Sequence, residues 1–191
     1  KLYHQRLMFS FRRKSDPYML LVGMTGVKMG DRMLQVGCAD GDALAAVASK
    51  VGLSGRAVAV VDDEGSAVRV RRGASRAGVL VDVELSPPTR LPVEDGEFDL
   101  VIVDDTRGQF AQRPAAEQAE TMRETLRVLR PGGRALVISA LPASGLSAML
   151  GRGPNGPAFD ATPALEGGGF RLVRLLAERE QLRFLEGTKP R

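Results

Sequence analysis

Residues Leu34–Gly41, LQVGCADG, carry the strongest structural signal in this chain. A short apolar run ends in a turn of small residues, and the helical pattern DALAAVASKVG follows at once from Asp42. Gly37 permits a tight turn, and Ala39 and Gly41 leave room for a ligand to approach the backbone. Because the first amides of a helix lack intrahelical partners, the helix near Asp42 directs N–H donors into the same space. The stretch therefore predicts a strand–loop–helix entry to a nucleotide-type site.

Apolar runs and helical patterns alternate in the rest of the chain. The predicted strands are 32–36, 56–61, 79–85, 98–103 and 134–139, followed by a tightly joined and therefore antiparallel pair, 170–178 and 181–186. The predicted helices are 18–27, 43–51, 66–77, 114–129 and a short one near 146–150, with a turn at 130–133. This alternation is typical of an α/β fold in which helices cover both faces of a mainly parallel sheet. Such folds bind ligands at the carboxyl ends of the strands.

The composition indicates an ordinary globular protein. A chain of 191 residues fits a single domain over 1–191, with a basic lead-in and helix over 1–28 and a mobile loop over 140–169 that we expect near the acceptor site. No apolar run approaches the roughly 20 residues that span a bilayer, and the N-terminal segment lacks a clear cleavage site. Cys38 is the only cysteine, which excludes an internal disulfide and is compatible with a reducing compartment. We therefore expect a cytoplasmic protein.

The net charge of +4 raises the question of an anionic partner. Arginines are abundant on the predicted helices, where they pair with glutamates on a solvated face. With seven Phe, two Tyr and no Trp, no basic patch is interleaved with aromatic residues that could stack on bases. The expected partner is a small molecule rather than a nucleic acid, and the oligomeric state stays open.

The spacing of the first loop and an acidic residue after the second strand narrow the ligand. The last small residue of the loop arrives one position too early for the dinucleotide pattern G-x-G-x-x-G, which disfavours NAD and FAD. Asp62 ends the next strand and is expected beside the first loop, where a carboxylate can accept hydrogen bonds from both ribose hydroxyls. The alternative is that Asp62, Asp63 and Glu64 all cap the following helix.

Two later segments, LPVEDGEFDLVIVDD (91–105) and ETLRVLRPGGRALVI (124–138), complete a recognisable order of motifs. Together with LQVGCADG, AVAVVDD (57–63) and the closing residues 169–190, they resemble the class I S-adenosylmethionine-dependent methyltransferase superfamily. Within it, the methyltransferases of ubiquinone/menaquinone biosynthesis are the most similar type. The resemblance implies a three-layer Rossmann-like fold with a seven-stranded sheet whose last strand is antiparallel. It also implies S-adenosyl-L-methionine as cofactor and S-adenosyl-L-homocysteine as product.

The resemblance assigns roles to residues of this chain. Residues 37–39 would pass under the amino acid part and ribose of the cofactor. Asp62 would bind the ribose hydroxyls, Asp63 would lie beside the adenine, and Val103 and Asp104 would lie near the reacting methyl. The complete implied cofactor set is Gly37, Cys38, Ala39, Asp40, Gly41, Asp62, Asp63, Pro87, Val103 and Asp104.

Three positions depart from the family pattern. Gln35 stands where the family usually has an acid, Ala39 replaces a central glycine, and Pro87 lies where an aspartate often contacts the adenine. These differences leave open a non-catalytic binding module on a degenerate methyltransferase fold. A second alternative follows from FDLVIVDDTRG (98–108), which is similar to aminopropyltransferases.

Methyl transfer is an in-line displacement, so positioning the acceptor matters more than acid–base chemistry. Asp104 and Asp105 are the candidate catalytic pair, as a base or to orient the acceptor. The alternative is a cofactor contact for Asp104 and capping for Asp105. His4, the only histidine, is expected in an exposed tail, and no Cys/His spacing predicts a metal site.

Overall fold

The computed structural model describes residues 17–142 and 158–191. The helices are α1 (Met19–Thr25), α2 (Gly41–Val51), α3 (Glu64–Ala77), α4 (Ala115–Val128) and α5 (Thr162–Gly167). The strands are β1 (Arg32–Val36), β2 (Arg56–Val61), β3 (Asp82–Leu85), β4 (Phe98–Asp105), β5 (Leu129–Ala140), β6 (Arg171–Arg179) and β7 (Leu182–Thr188).

The strands form one seven-stranded sheet in the order β3-β2-β1-β4-β5-β7-β6. β1 to β5 pair in parallel, and β7 runs antiparallel to both of its neighbours. The predicted α/β fold with an antiparallel last strand is therefore confirmed. The bounds predicted for the first two strands are those of β1 and β2, because turn residues frame both apolar runs closely.

Helices cover both faces of the sheet because side chains of the inner strands alternate between two cores. On one face Leu34 and Val36 join a cluster completed by α4 and α5, including the buried Met122 and Leu165. On the other face Met33 joins a cluster formed with α2 and α3. Strands buried on both faces read as continuous apolar runs, which is why β1, β2 and β4 were readable from the sequence.

Three predictions were wrong by more than two residues. The strand predicted from 79 begins at Asp82, because Val79 donates its amide to Ala74 O (3.0 Å) and belongs to the end of α3. The turn predicted at 130–133 is an irregular part of β5, where the register slips between Phe98 and Leu100. α5 lies in the segment predicted as a loop, and its Leu165 is fully buried. The short helix predicted near 146–150 lies outside the described residues.

No helix among the described residues is long and apolar enough to cross a membrane. The expectations for the lead-in before residue 17 and for residues 143–157 concern parts of the chain outside the described ranges.

Two glycines allow α2 and α3 to cross at close range, which sets the position of the first loop. A Cβ atom on Gly41 would lie 1.9 Å from the Arg69 carbonyl oxygen. A Cβ on Gly73 would lie 2.1 Å from the Gly41 carbonyl oxygen. Both obstacles are backbone atoms, which cannot turn aside as a flexible side chain can. The crossing therefore requires glycine at both positions.

We expect Gly73→Ala to lower the free energy of unfolding by about 3 kcal/mol, because the added methyl must push the two helices apart. Urea unfolding measures the change. Gly23→Ala is the matched control, since a Cβ there meets nothing within 4 Å and alanine favours the helix. Equal stability of Gly73→Ala and the wild type would contradict the close crossing.

Candidate functional site

The first loop leaves β1 through a glycine that no other residue could replace without strain. Gly37 has a φ of 79°, and its amide donates to Val60 O on β2 at 2.9 Å. A Cβ on Gly37 would lie 3.2 Å from the backbone carbonyl oxygen of Asp104. The loop thus passes closely over the carboxyl ends of β2 and β4, with its backbone bare on this side.

A carboxylate from β4 holds the same loop. Asp104 Oδ2 accepts the Ala39 amide at 2.8 Å. Asp104 Oδ1 accepts both the amide (3.1 Å) and the hydroxyl (2.6 Å) of Thr106. The side chain therefore ties the loop after β1 to the loop after β4. The predicted site residues Ala39 and Asp104 are brought into direct contact.

The start of α2 is ordered by Asp40, which caps the helix and also contacts α1. Asp40 Oδ1 accepts the Asp42 amide at 2.9 Å, and Oδ2 accepts the Tyr18 hydroxyl at 2.9 Å. Burial, together with this hydrogen bond, raises the pKa of Tyr18 to about 12. Tyr18 stays a protonated donor at neutral pH, and it closes the loop region from the α1 side.

Two buried side chains lie beneath the loop, Cys38 of the loop itself and Gln35 of β1. Cys38 is buried, and burial followed by the charge of Asp104 raises the pKa of its thiol to about 12, so it is not a nucleophile at neutral pH. Gln35 is also buried, and its Nε2 donates to Gly37 O at 3.1 Å. On the outer side, Arg69 Nε donates to Cys38 O at 3.1 Å. Hydrogen bonds with Gln35 on β1, Asp104 on β4 and Arg69 on α3 therefore hold the loop.

The two acidic residues after β2 have different partners. Asp62 Oδ2 accepts Arg113 Nη2 at 2.5 Å, and the Asp62 side chain is 40% exposed. Asp63 caps α3 by accepting the amide (2.8 Å) and the hydroxyl of Ser66, and these bonds hold its pKa below the usual range. The capping alternative therefore describes the contacts of Asp63, whose role beside an adenine stays a prediction. The observed partner of the Asp62 side chain is Arg113 rather than an amide of α3.

Two cavities flank Asp104 at the carboxyl edge of the sheet. The smaller, of about 30 Å³, is lined by Val36, Gly37, Val60, Asp62, Ser86, Pro88, Val103, Asp104, Gln109, Phe110 and Arg113. The larger, of about 280 Å³, is lined by Pro17, Tyr18, Leu21, Gln35, Asp40, Ala43, Leu44, Val47, Ile102, Asp104, Thr106, Ile138, Glu180 and Leu182. The first contains the predicted ribose residue, and the second is largely apolar. Asp104 lines both.

The sequence did not single out several residues of these cavities. Pro88 lines the smaller cavity, whereas Pro87 lines a shallow groove beside Arg90. Phe110 and Arg113 reach the cavity from the segment before α4. That segment carries no periodic pattern, so only the alternation rule, which places every strand–helix loop at one edge, could have pointed to it.

Asp105 differs from Asp104 in environment. Its side chain is 1% exposed, and Oδ1 accepts the amides of Phe110 (2.7 Å) and Ala111 (3.1 Å). Burial outweighs these bonds and raises its pKa to about 6. It lines neither cavity, so its observed contacts are those of the capping alternative. A catalytic role for Asp105 stays a prediction. Among the described residues, no group of His, Cys, Asp or Glu side chains is arranged to hold a metal ion.

A family model described as a methyltransferase domain matches residues 33–133, which is more than half of the chain. The chain belongs to this family. The predicted class I S-adenosylmethionine-dependent methyltransferase superfamily is thereby confirmed, as is S-adenosylmethionine as the cofactor of the family. The matched residues run from β1 into β5 and include both loops that Asp104 connects.

Curated relatives agree with this assignment. The ubiquinone/menaquinone biosynthesis C-methyltransferase UbiE of Pseudomonas fluorescens is 32% identical over 120 residues, covering 61% of this chain and 44% of that protein. The demethylmenaquinone methyltransferase of Symbiobacterium thermophilum is 35% identical over 121 residues, covering 62% and 46%. The chain therefore spans less than half the length of these relatives.

The fold is also shared with solved structures. An S-adenosylmethionine-dependent methyltransferase from Aquifex aeolicus superposes with a TM-score of 0.72 over 91% of this chain and 89% of that one, at 18% identity. At this identity the superposition shows the fold. This methyltransferase domain therefore has the predicted Rossmann-like architecture.

The raised pKa of Asp105 makes stability depend on pH. Between the usual value of 3.8 and the folded value of about 6, the folded protein binds more protons than the unfolded chain, so a rising pH destabilises it. Asp105→Asn removes this titration. We expect the wild-type free energy of unfolding to fall relative to that of Asp105→Asn by about 3 kcal/mol from pH 3.5 to 7.

Urea unfolding at a series of pH values measures this difference. Asp99→Asn is the opposite-sign control. Burial opposes ionisation of Asp99, but the Arg32 amide and the Arg130 guanidinium outweigh it and hold its pKa below the usual range. Wild type should therefore gain stability relative to Asp99→Asn as the pH rises. If the difference in free energy of unfolding between wild type and Asp105→Asn does not change with pH, the raised pKa of the buried Asp105 carboxyl is contradicted.

Proposed function

We propose that this chain is an S-adenosylmethionine-dependent methyltransferase that acts on a small molecule with an apolar body. The observation that carries the proposal is the position of Asp104 between two cavities of different chemistry. The smaller one, which contains the carboxylate of Asp62, suits the adenosyl part of the cofactor. The apolar one suits an acceptor, and the two meet where a methyl group would be exchanged.

The residues present fit the cofactor. Gly37 leaves its backbone bare above β4, a place that a Cβ would crowd. Asp62 presents a partly exposed carboxylate at the end of β2, where ribose hydroxyls could replace Arg113 as its hydrogen-bond donors. Gly37, Cys38, Ala39, Asp40, Gly41 and Val103 complete the proposed cofactor site at the same edge.

Two of the three departures from the family pattern, Gln35 and Ala39, have structural explanations that support this fit. Gln35 uses its amide to hold Gly37 O, so a neutral residue braces the loop. Ala39 keeps its amide on Asp104, so its extra methyl does not displace the loop. Neither change removes a contact on which the loop depends. The degenerate binding module is therefore the weaker candidate.

Catalysis by this chain rests on orientation. Bound S-adenosylmethionine would supply a methyl group already activated on a sulfonium sulfur. Asp104 already accepts three hydrogen bonds from Ala39 and Thr106, so both of its carboxylate oxygens are engaged in holding the loops. Its role is to fix the two loops against each other. The apolar walls then align the acceptor and exclude water.

The acceptor class follows from the larger cavity and from the relatives. Its walls include Leu21, Leu44, Ile102, Ile138 and Leu182, and about 280 Å³ would hold a compact ring system. The relatives are named for quinone biosynthesis, in which acceptors are apolar ring compounds. We propose an acceptor of this chemistry that binds as its phenolate, having lost its hydroxyl proton to solvent, and is then methylated at carbon or oxygen.

Cofactor binding tests the proposal first. We expect Asp62→Ala to weaken binding of S-adenosylhomocysteine at least about tenfold, because the ribose hydroxyls lose a charged acceptor. Isothermal titration calorimetry measures the affinity. Asp82→Ala is the matched control, since Asp82 also pairs with an arginine but lies at the opposite end of the sheet. If the wild type binds no S-adenosylhomocysteine at millimolar concentration, the binding-module alternative replaces the proposal.

The acceptor cavity can be tested separately. Ala43→Leu adds bulk to the cavity wall on α2 and should raise the KM for an apolar phenol or quinol about tenfold, with unchanged affinity for S-adenosylhomocysteine. Transfer of tritium from labelled S-adenosylmethionine measures turnover. Ala46→Leu makes the same change on the same helix outside the cavity and should leave KM unaltered. Equal KM values for both variants would place the acceptor elsewhere.

A further inference from the structure

Arg113 occupies the carboxylate that the cofactor would need. Its Nη2 donates to Asp62 Oδ2 at 2.5 Å, although the two residues are 51 positions apart in the chain. The Arg113 side chain is 24% exposed and the Asp62 side chain 40% exposed, so the pair is partly shielded from water. Both residues line the smaller cavity. Arg113 therefore already occupies one Asp62 carboxylate oxygen to which a ligand could donate.

The cavity beside this ion pair is small. Its volume is about 30 Å³, which is room for about two waters of roughly 10–15 Å³ each and less than the roughly 300 Å³ of a small-molecule site. Arg113 also occupies Oδ2, one of the two carboxylate oxygens of Asp62. A ribose diol that uses both oxygens must therefore displace the guanidinium.

The same guanidinium is held by a second carboxylate at the same time. Arg113 Nη1 lies 3.3 Å from Glu117 Oε2, one helical turn further along α4. The backbone of Arg113 is held at the same time, because its carbonyl accepts Gln118 Nε2 at 2.9 Å and its amide donates to Phe110 O at 3.1 Å. The guanidinium can therefore release Asp62 and remain on Glu117 by rotation of the side chain, while the main chain of Arg113 stays in place.

We propose that Arg113 competes with the ribose of the cofactor for Asp62 and thereby sets cofactor affinity. Without ligand, Arg113 bridges Asp62 and Glu117. When a ribose diol binds, Arg113 releases Asp62 and keeps Glu117, and the diol takes its place on the Asp62 carboxylate. This proposal rests on the proposed function, since it assumes that Asp62 receives the ribose.

Competition and a purely structural role predict opposite changes in cofactor affinity when Arg113 is removed. Removing the competitor should tighten cofactor binding, whereas an arginine that merely orients Asp62 would weaken binding when removed. Salt should act in the same sense, because it screens the partly exposed ion pair more than it affects a zwitterionic ligand. Cofactor affinity of the wild type is therefore expected to rise with ionic strength.

Isothermal titration calorimetry with S-adenosylhomocysteine tests these expectations on the whole chain. Arg113→Gln should bind roughly fivefold more tightly than wild type, the factor that corresponds to one partly exposed ion pair. Arg71→Gln is the matched control, because Arg71 also pairs with a glutamate but lies outside the cavity. Glu117→Gln removes the charge that holds Arg113 after it has left Asp62, and it should weaken cofactor binding about twofold.

Each result decides the question. Tighter binding by Arg113→Gln, including binding by this variant alone, supports the competition. Equal or weaker binding by a folded Arg113→Gln overturns it while leaving the proposed function intact. Titrations of the wild type from low to high sodium chloride need no variant, and an affinity that falls or stays constant also overturns it. Absence of binding in the wild type and in Arg113→Gln overturns both the competition and the proposed function.

Discussion

The hydrogen bond from the Ala39 amide to the Asp104 carboxylate joins the two loops on which the site depends. β1 and β4 are neighbours in the sheet, but the chain leaves β1 toward β2 and leaves β4 toward β5, on the opposite side. Loops that diverge in this way leave a crevice at the carboxyl edge of a parallel sheet. Without a tie across it, the crevice would have no defined shape. One carboxylate provides this tie and also lines both cavities that flank it.

The positive charge of the chain has a structural use. Glu186 is buried on β7, and two arginines from the neighbouring strands, Arg134 and Arg174, neutralise it at 2.7 and 2.8 Å. Although burial opposes ionisation, these partners hold the pKa of Glu186 below its usual range. Arg127 on α4 donates to the carbonyls of Leu91 (2.8 Å) and Val93 (3.0 Å) and so fixes the loop before β4. Arginines that connect separate elements thus account for part of the basic composition.

Sequence patterns predicted the fold well because burial on both faces leaves continuous apolar runs, as in β1, β2 and β4. They also predicted that Asp62, Ala39 and Asp104 lie at one edge, since strand order alone implies it. The same patterns did not predict features whose formation depends on tertiary contacts. α5 is short and lies among glycines and prolines, and only its burial against the core stabilises it. The partner of Asp62, Arg113, lies 51 residues away in a segment without periodicity.

The central claim is that a loop held by Asp104 forms the ligand site at the carboxyl edge of the sheet. A titration of the ¹⁵N-labelled protein with S-adenosylhomocysteine, followed by two-dimensional NMR, tests it most directly. The account predicts saturable shifts of the amides at 37–41 and 104–110, with the amide of Ala39 protected from hydrogen exchange before ligand is added. Residues at the opposite edge, such as Gly52 and Leu80, should not shift. Saturable shifts confined to that opposite edge, or rapid exchange of the Ala39 amide, would contradict the account.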